Sequence, residues 1–345
     1  MSRTLPGGVA QSNRVIDPDA VLHNSVTLAV ALAGGLCGCD LVFSLDRPPM
    51  PTVCGAFGGE RPVEFGDQMT DIRDLSFNAK MTRGFVHATV ETSAGERIGP
   101  VPVLLDDDRW VYDETFEANW SVLVQQRAYH ARMARDNELW VGQVLTTPTS
   151  AYHVYHYAFT SSMWAPVENA EVAFTSNTDA FPGGELNELV VGSNPPVTTD
   201  FLPIFRVDKG TFVRSVAIAL HQPNATSWED QERVGGLSST DTINEQHQAW
   251  SGALARTPEG RQVLIYAATP DGSDVGSDLY LSEKRSGRFL EGVPLTRFNT
   301  DDEELEPWVS EDCSTITFRR APRGAEFAGD PPARAGGTIY MSTLE

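Results

Sequence analysis

The sequence predicts an all-β protein: a β-propeller of six four-stranded blades, closed by an N-terminal strand that joins the last blade. Three observations predict it. A module of turn, strand, loop and strand recurs along the chain. The copies stand apart by the length of a propeller blade. The 29 Gly and 22 Pro are spread through the 345 residues instead of gathering in a linker, as suits many short strands joined by tight turns. A chain of this length is on average two domains, yet closed β architectures often reach it as one.

The clearest copies lie in the C-terminal third. Thr257-Pro258-Glu259-Gly260-Arg261-Gln262-Val263-Leu264-Ile265-Tyr266 aligns with Val309-Ser310-Glu311-Asp312-Cys313-Ser314-Thr315-Ile316-Thr317-Phe318. Downstream, Ser277-Asp278-Leu279-Tyr280-Leu281-Ser282 aligns with Gly337-Thr338-Ile339-Tyr340-Met341-Ser342. The Glu-Gly or Glu-Asp pair turns the chain, alternating apolar residues bury one face, and the tyrosine packs between sheets. Weaker copies run through Ser121–Val124 with Asn137–Val141, Glu171–Ser176 with Asn187–Val191, Val213–Leu220, and Gly84–Val90. Anchoring on Val124, Phe174, Ile218, Tyr266 and Phe318 gives steps of 50, 44, 48 and 52 residues. With the N-terminal unit the count is six.

This pattern resembles the TolB-type β-propeller repeat, closely over residues 245–345 and faintly over 75–220. Members of that family are periplasmic or exported, and many are platforms that bind proteins or glycans. Some relatives with this type of propeller are lyases that hold a metal with several histidines.

A second pattern places an aromatic or apolar residue shortly before Pro and a β-branched or Leu neighbour, at Gly99–Val103, Trp164–Val167 and Phe289–Leu295. It is expected to be each blade's outer strand, where proline is tolerated because one edge faces solvent. The last unit has no such strand after Tyr340, whereas Gly55–Glu64 has the pattern with no blade before it. That segment is therefore expected to complete the last blade, since an open ring would expose two sheet edges.

Val26–Leu36 is the sustained apolar run of the chain, about 11 residues. A spanning helix needs roughly 20, whereas a signal-peptide core needs about 7–15. It is followed by Leu36-Cys37-Gly38-Cys39, which resembles the lipobox of bacterial lipoproteins and assigns the acylated residue to Cys39. The leader is untidy, with Asp17 and Asp19 beside Arg3 and Arg14, and the other reading is an N-terminal strand or helix buried in the core. The resulting division is a signal segment 1–38, a proline-rich tether 39–53 and a propeller domain 54–345, lipid-anchored in the cell envelope and facing the periplasm or exterior. Export would put Cys54 and Cys313 in an oxidising space where a disulfide persists. The other reading is two separate buried thiols. Closure by the N-terminal strand would bring Cys54 to the blade that contains Cys313.

The formal net charge of −21 argues against nucleic acid as a partner, because phosphate is repelled. An acidic surface mainly keeps a protein soluble. No GxSxG, HExxH, GxGxxG or GxxxxGK[ST] occurs, so no catalytic residue, metal ligand or cofactor is assigned. His153 and His156 fall on opposite faces of an expected strand. Asp271–Asp278 resembles a calcium loop, but Val275 takes a ligand position and no glutamate closes it. Asp106–Asp108 and Asp301–Glu304 read as solvated connections between blades. His221, His247, Trp250 and Trp308 are candidates for a ligand-facing surface, although the simplest role for both tryptophans is packing between blades. The function expected is a monomeric binding or scaffold propeller, held to a membrane by its N-terminal lipid and taking a protein or glycan partner. The alternative is a metal-dependent propeller enzyme, a polysaccharide lyase or lactone hydrolase, with its site in the central channel.

Overall fold

The computed structural model describes residues 54–93, 95–117, 128–145, 151–167, 172–174, 186–192, 201–208, 214–220, 229–230, 239–270, 276–323 and 337–344. All of these residues belong to one compact unit, Pro48–Glu345. The signal segment, Cys39, the tether, Val124, His221 and Asp271–Asp274 lie outside them.

The described strands form five antiparallel sheets. Strand β1 (Arg61–Pro62) comes first among the described strands and belongs to the last sheet. The first blade is β2 (Met69–Phe77), β3 (Arg83–Thr92), β4 (Gly95–Asp106) and β5 (Arg109–Tyr112). The second is β6 (Ala128–Arg135), β7 (Glu138–Leu145) and β8 (Ala151–Thr160), with β9 (Met163–Pro166) and β10 (Val172–Phe174) both paired to β8. The third is β11 (Leu186–Val191), β12 (Phe201–Asp208), β13 (Arg214–Leu220) and β14 (Glu229–Asp230). The fourth is β15 (His247–Arg256), β16 (Gln262–Pro270) and β17 (Asp278–Arg285), with β18 (Arg288–Phe289) and β19 (Val293–Pro294) on its outer edge. The last is β20 (Glu303–Val309), β21 (Thr315–Ala321) and β22 (Thr338–Thr343), completed by β1.

The first strand of each sheet touches the first strand of the next: β2 meets β6, β6 meets β11, β11 meets β15, β15 meets β20, and β20 returns to β2. Five sheets thus close a ring, and the six expected from spacing are not found among the described residues. The excess came from Phe174, which lies in β10 on the outer side of β8 and so belongs to the second blade. Spacing alone does not distinguish a blade's middle strand from an extra outer one.

Side chains alternate across each strand, and here both faces are covered. Phe85 packs with Phe116 of the short helix Glu114–Glu117 and with Leu139 and Trp164 of the second blade, while its neighbour Val86 packs with Trp308 and Ile339 of the last. Phe205 and Val216 of the third blade pack with Leu264 and Tyr266 of the fourth. Ala253 and Ile265 of the fourth pack with Val309, Ile316 and Phe318 of the last. The core therefore lies in the seams between blades.

The two C-terminal repeats hold the same register, with Tyr266 opposite Tyr280 and Phe318 opposite Tyr340. Closure by the N-terminal segment is also seen: Arg61 pairs with Met341 and Pro62 with Tyr340. Other expectations need correction. Gly99–Val103 is in β4, the third strand; the outer β5 pairs with Val103–Asp106, and beyond that ladder the Pro102 carbonyl accepts from the Asp113 N–H, so neither proline is asked for an N–H. Asp107 and Asp108 turn the β4–β5 hairpin within a blade, at φ 45° and 66°. Asp301 and Asp302 are exposed, but Glu303 and Glu304 are buried in β20.

Candidate functional site

The innermost strands are interrupted by bulges, and these set the chemistry near the axis. Register shifts fall between Arg73 and Ser76 in β2, between Leu305 and Trp308 in β20, and between Ala249 and Ser251 in β15. A bulge lifts a residue out of the ladder and frees its N–H. Asp74 and Glu306 occupy these positions with φ of 58° and 53°, a conformation that costs a non-glycine residue about 1–2 kcal/mol.

The freed groups lace the blades together. The Asp74 N–H donates to Glu306 Oε2 at 2.7 Å, and the Glu306 N–H donates to Ser251 Oγ at 3.2 Å. Arg132 of β6 donates to the Asp74 carboxylate, and its other terminal nitrogen reaches the Asp74 carbonyl at 3.4 Å. Arg319 grips Glu306 through Nε at 3.1 Å and Nη2 at 3.4 Å. The Met133 N–H donates to Ser76 Oγ at 2.8 Å. Asp74, Arg132 and Arg319 are 4%, 3% and 2% exposed, so each charge lies out of water and needs the pairing that it has. Four of the five blades are joined in this girdle.

Asp74 lies level with Glu306, and farther along the same strands Phe77 meets Trp308 edge-on at 5.2 Å. The innermost strands therefore run the same way, and their first residues share one end of the ring. There His247 opens β15, with Nδ1 2.8 Å from the Tyr266 hydroxyl and its ring 4.1 Å from that of Tyr280. Burial, with Asp278 nearby, pushes the Tyr280 phenol up to about 12, and burial raises Tyr266 further. Gly292 is needed there, because a Cβ would overlap the Tyr266 hydroxyl. Burial also raises the carboxyl of Asp278 against the pull of Arg323, and that of Glu304 against hydrogen bonds from Arg320 and Thr300. The Glu304 N–H donates to the Ser277 carbonyl at 2.8 Å, which brings the starts of β20 and β17 together.

Of the ligand-facing candidates, His247 is at this end and half-buried. Trp250 is buried among Phe205, Val216 and Ile218, with the Arg214 guanidinium 3.5 Å over its ring. Trp308 is buried against Phe77. Both tryptophans are buried and fill seams between blades. His156 stacks on Trp140 at 4.5 Å and lies 3.2 Å from Glu138 Oε2. Cys54 and Cys313 are joined, with Cα atoms 5.2 Å apart. Among the described residues, no three His, Cys, Asp or Glu are grouped to hold a metal ion.

The girdle was not anticipated from sequence. A signal for it exists: Asp74 and Glu306 each stand four residues before the turn residue of their hairpin, Asn78 and Ser310. An acidic residue at one fixed offset in the innermost strands of two blades marks a shared bulge. Arg132 and Arg319 carry no comparable mark.

No family model matches the sequence, and no curated protein matches it. Similar solved structures include the catalytic domain of a Coprinopsis cinerea GH62 α-L-arabinofuranosidase, with 10% identity and a TM-score of 0.47 over 84% of this chain and 97% of that one. An endo-arabinase from Bacteroides thetaiotaomicron has 9% identity and a TM-score of 0.46 over 84% and 98%. A hypothetical protein from Leishmania major has 9% identity and a TM-score of 0.42 over 84% and 91%.

Proposed function

We propose that this chain is an exported, lipid-anchored propeller of the cell envelope that binds a protein or glycan partner and acts as a scaffold. The observation that carries the reading is the girdle. Arg132 of the second blade holds the Asp74 carboxylate, and that of Glu306 is held by Arg319 of its own blade and by the Asp74 N–H of the first. Such pairing braces the ring from blade to blade, since a fully satisfied buried polar network rigidifies the elements it joins, and a rigid ring suits a platform for a partner. The partner would meet the end of the ring where His247, Asp278 and Glu304 gather. Kinship with TolB-type repeats is supported by the matched registers of the last two blades. The anchor reading rests on Cys39 within Leu36–Cys39, and it proposes attachment through lipid, not through a spanning helix.

The test expresses the full chain in a bacterial host. Wild type should sediment with membranes and carry a diacylglyceryl group on Cys39, and Cys39→Ser should not. The purified protein is then screened against envelope glycans and crosslinked to envelope proteins. Saturable binding weakened by His247→Ala, with the melting temperature unchanged, supports the reading. Depolymerisation of a bound polysaccharide, or opening of a lactone, would sink the scaffold half and favour the enzymatic alternative.

A further inference from the structure

The closing strand is too slight to hold the ring by itself. It is two residues long, and one of them, Pro62, has no N–H to give. Around it the N-terminal segment is stitched to both sides of the seam. On the last blade, Phe57 bridges Leu344, the Gly58 N–H donates to the Thr343 carbonyl at 2.7 Å, and the Val63 N–H donates to the Ile339 carbonyl at 2.8 Å. On the first blade, Phe65 bridges Trp110, and the Gly66 N–H donates to the Trp110 carbonyl at 2.8 Å.

Two stronger links lie in the same segment. Glu60 receives both terminal nitrogens of Arg320, at 2.6 and 3.0 Å. The same guanidinium reaches Glu304 at 2.8 Å and the Phe298 carbonyl at 2.7 Å, and lies 4.6 Å from the Tyr340 ring centroid. The Cys54–Cys313 bond is buried with Phe57, Phe298 and Phe318, its cysteines 3% and 0% exposed. Cys313 has φ 60°. It donates its N–H to the Ser310 carbonyl, as Gly260 does to Thr257 in the fourth blade. A cysteine thus stands in a turn position that favours glycine, which is expected where the cross-link outweighs the local backbone cost.

We propose that the Cys54–Cys313 disulfide is a covalent latch on the ring's seam, and that the Glu60–Arg320 clasp controls access of a dithiol reductant to it. A thiolate must reach a disulfide sulfur to displace the other, and here Phe57 and its segment cover both. Reduction therefore proceeds from a state in which Cys54–Gly66 has lifted. In that step the dithiol's sulfur bonds to one cysteine sulfur and releases the other as thiolate. Its second sulfur then frees the first and closes a cyclic disulfide. The two electrons come from the dithiol, and both cysteines end as thiols.

The test treats the folded full chain with dithiothreitol and follows free thiols by alkylation and mass spectrometry. Glu60→Gln should speed reduction about tenfold, the factor that loss of a charged hydrogen-bonded contact of this kind gives, whereas Glu96→Gln, an exposed carboxylate on β4, should leave the rate unchanged. If Glu60→Gln does not fold, Arg320→Lys serves in its place, with several-fold acceleration expected. After reduction, amide exchange should quicken in β1, β2 and β20–β22 while β7 and β16 stay protected. Equal reduction rates in wild type and the clasp variant would overturn the proposal. So would exchange that quickens evenly in every blade, because opening would then be global unfolding.

Discussion

Asp74 and Arg132 form a buried ion pair whose removal is asymmetric in its effect. Arg132→Ala leaves the Asp74 carboxylate buried with less to hold it, and breaking such a pair costs about 3–5 kcal/mol. Urea unfolding should show that loss. The double variant Asp74→Leu with Arg132→Met should recover much of it, since apolar groups of similar volume can replace a buried pair. Asp278 makes a second residue-level prediction. Burial raises its carboxyl above the ordinary range despite Arg323, so the folded protein takes up this proton at higher pH than the unfolded chain does. The charged form costs stability above the folded value, and that cost is relieved as pH falls toward about 3.9, the unfolded value. Asp278→Asn should therefore flatten the rise in melting temperature on acidification through this window. An unchanged slope would show that other groups set it.

At the level of strands, the repeat is what sequence exposes best. Val263–Tyr266 and Thr315–Phe318 look alike because each fills the same seam geometry, and in the fold they take one register. The closing segment was legible for a similar reason: the last unit lacked an outer strand and Gly55–Glu64 supplied one. The second blade was not, because Phe174 sits in an extra outer strand that mimics a blade's middle strand in composition. Bulges were equally hidden. They depend on which N–H groups leave a ladder, which alternation of apolar residues does not record. For Trp250 and Trp308 sequence left two roles open, because a large aromatic serves a seam and a binding surface equally well until burial is known; both pack in seams. Close packing of β2 on β3 makes a further prediction. A Cβ at Gly84 would stand 2.5 Å from the Ser76 carbonyl oxygen, whereas at Gly59 it would meet nothing within 4 Å. Gly84→Ala should cost about 1–3 kcal/mol, typical of overpacking, and Gly59→Ala far less, as thermal melts of both will show.

Across the whole molecule, four of the five seams bury apolar clusters shared by two sheets among the described residues, so stability is spread around the ring. A chain lacking residues 1–64, with Cys313→Ser to avoid a stray thiol, would leave the edge of β22 unpaired. Open edges recruit strands from other molecules, so size-exclusion chromatography should find larger species for this variant than for the full domain. The meeting of Gly55 with Leu344, whose side chain lies within 3.0 Å of a Cβ built on the glycine, carries a different consequence. The two extremes of the described chain touch inside one sheet, so the polypeptide's starting point is arbitrary with respect to the ring. A circular permutant that splices Leu344 to Gly55 through a short linker and begins instead at the Ser161–Ser162 hairpin turn would trace the same five sheets, its seam moved to the second blade.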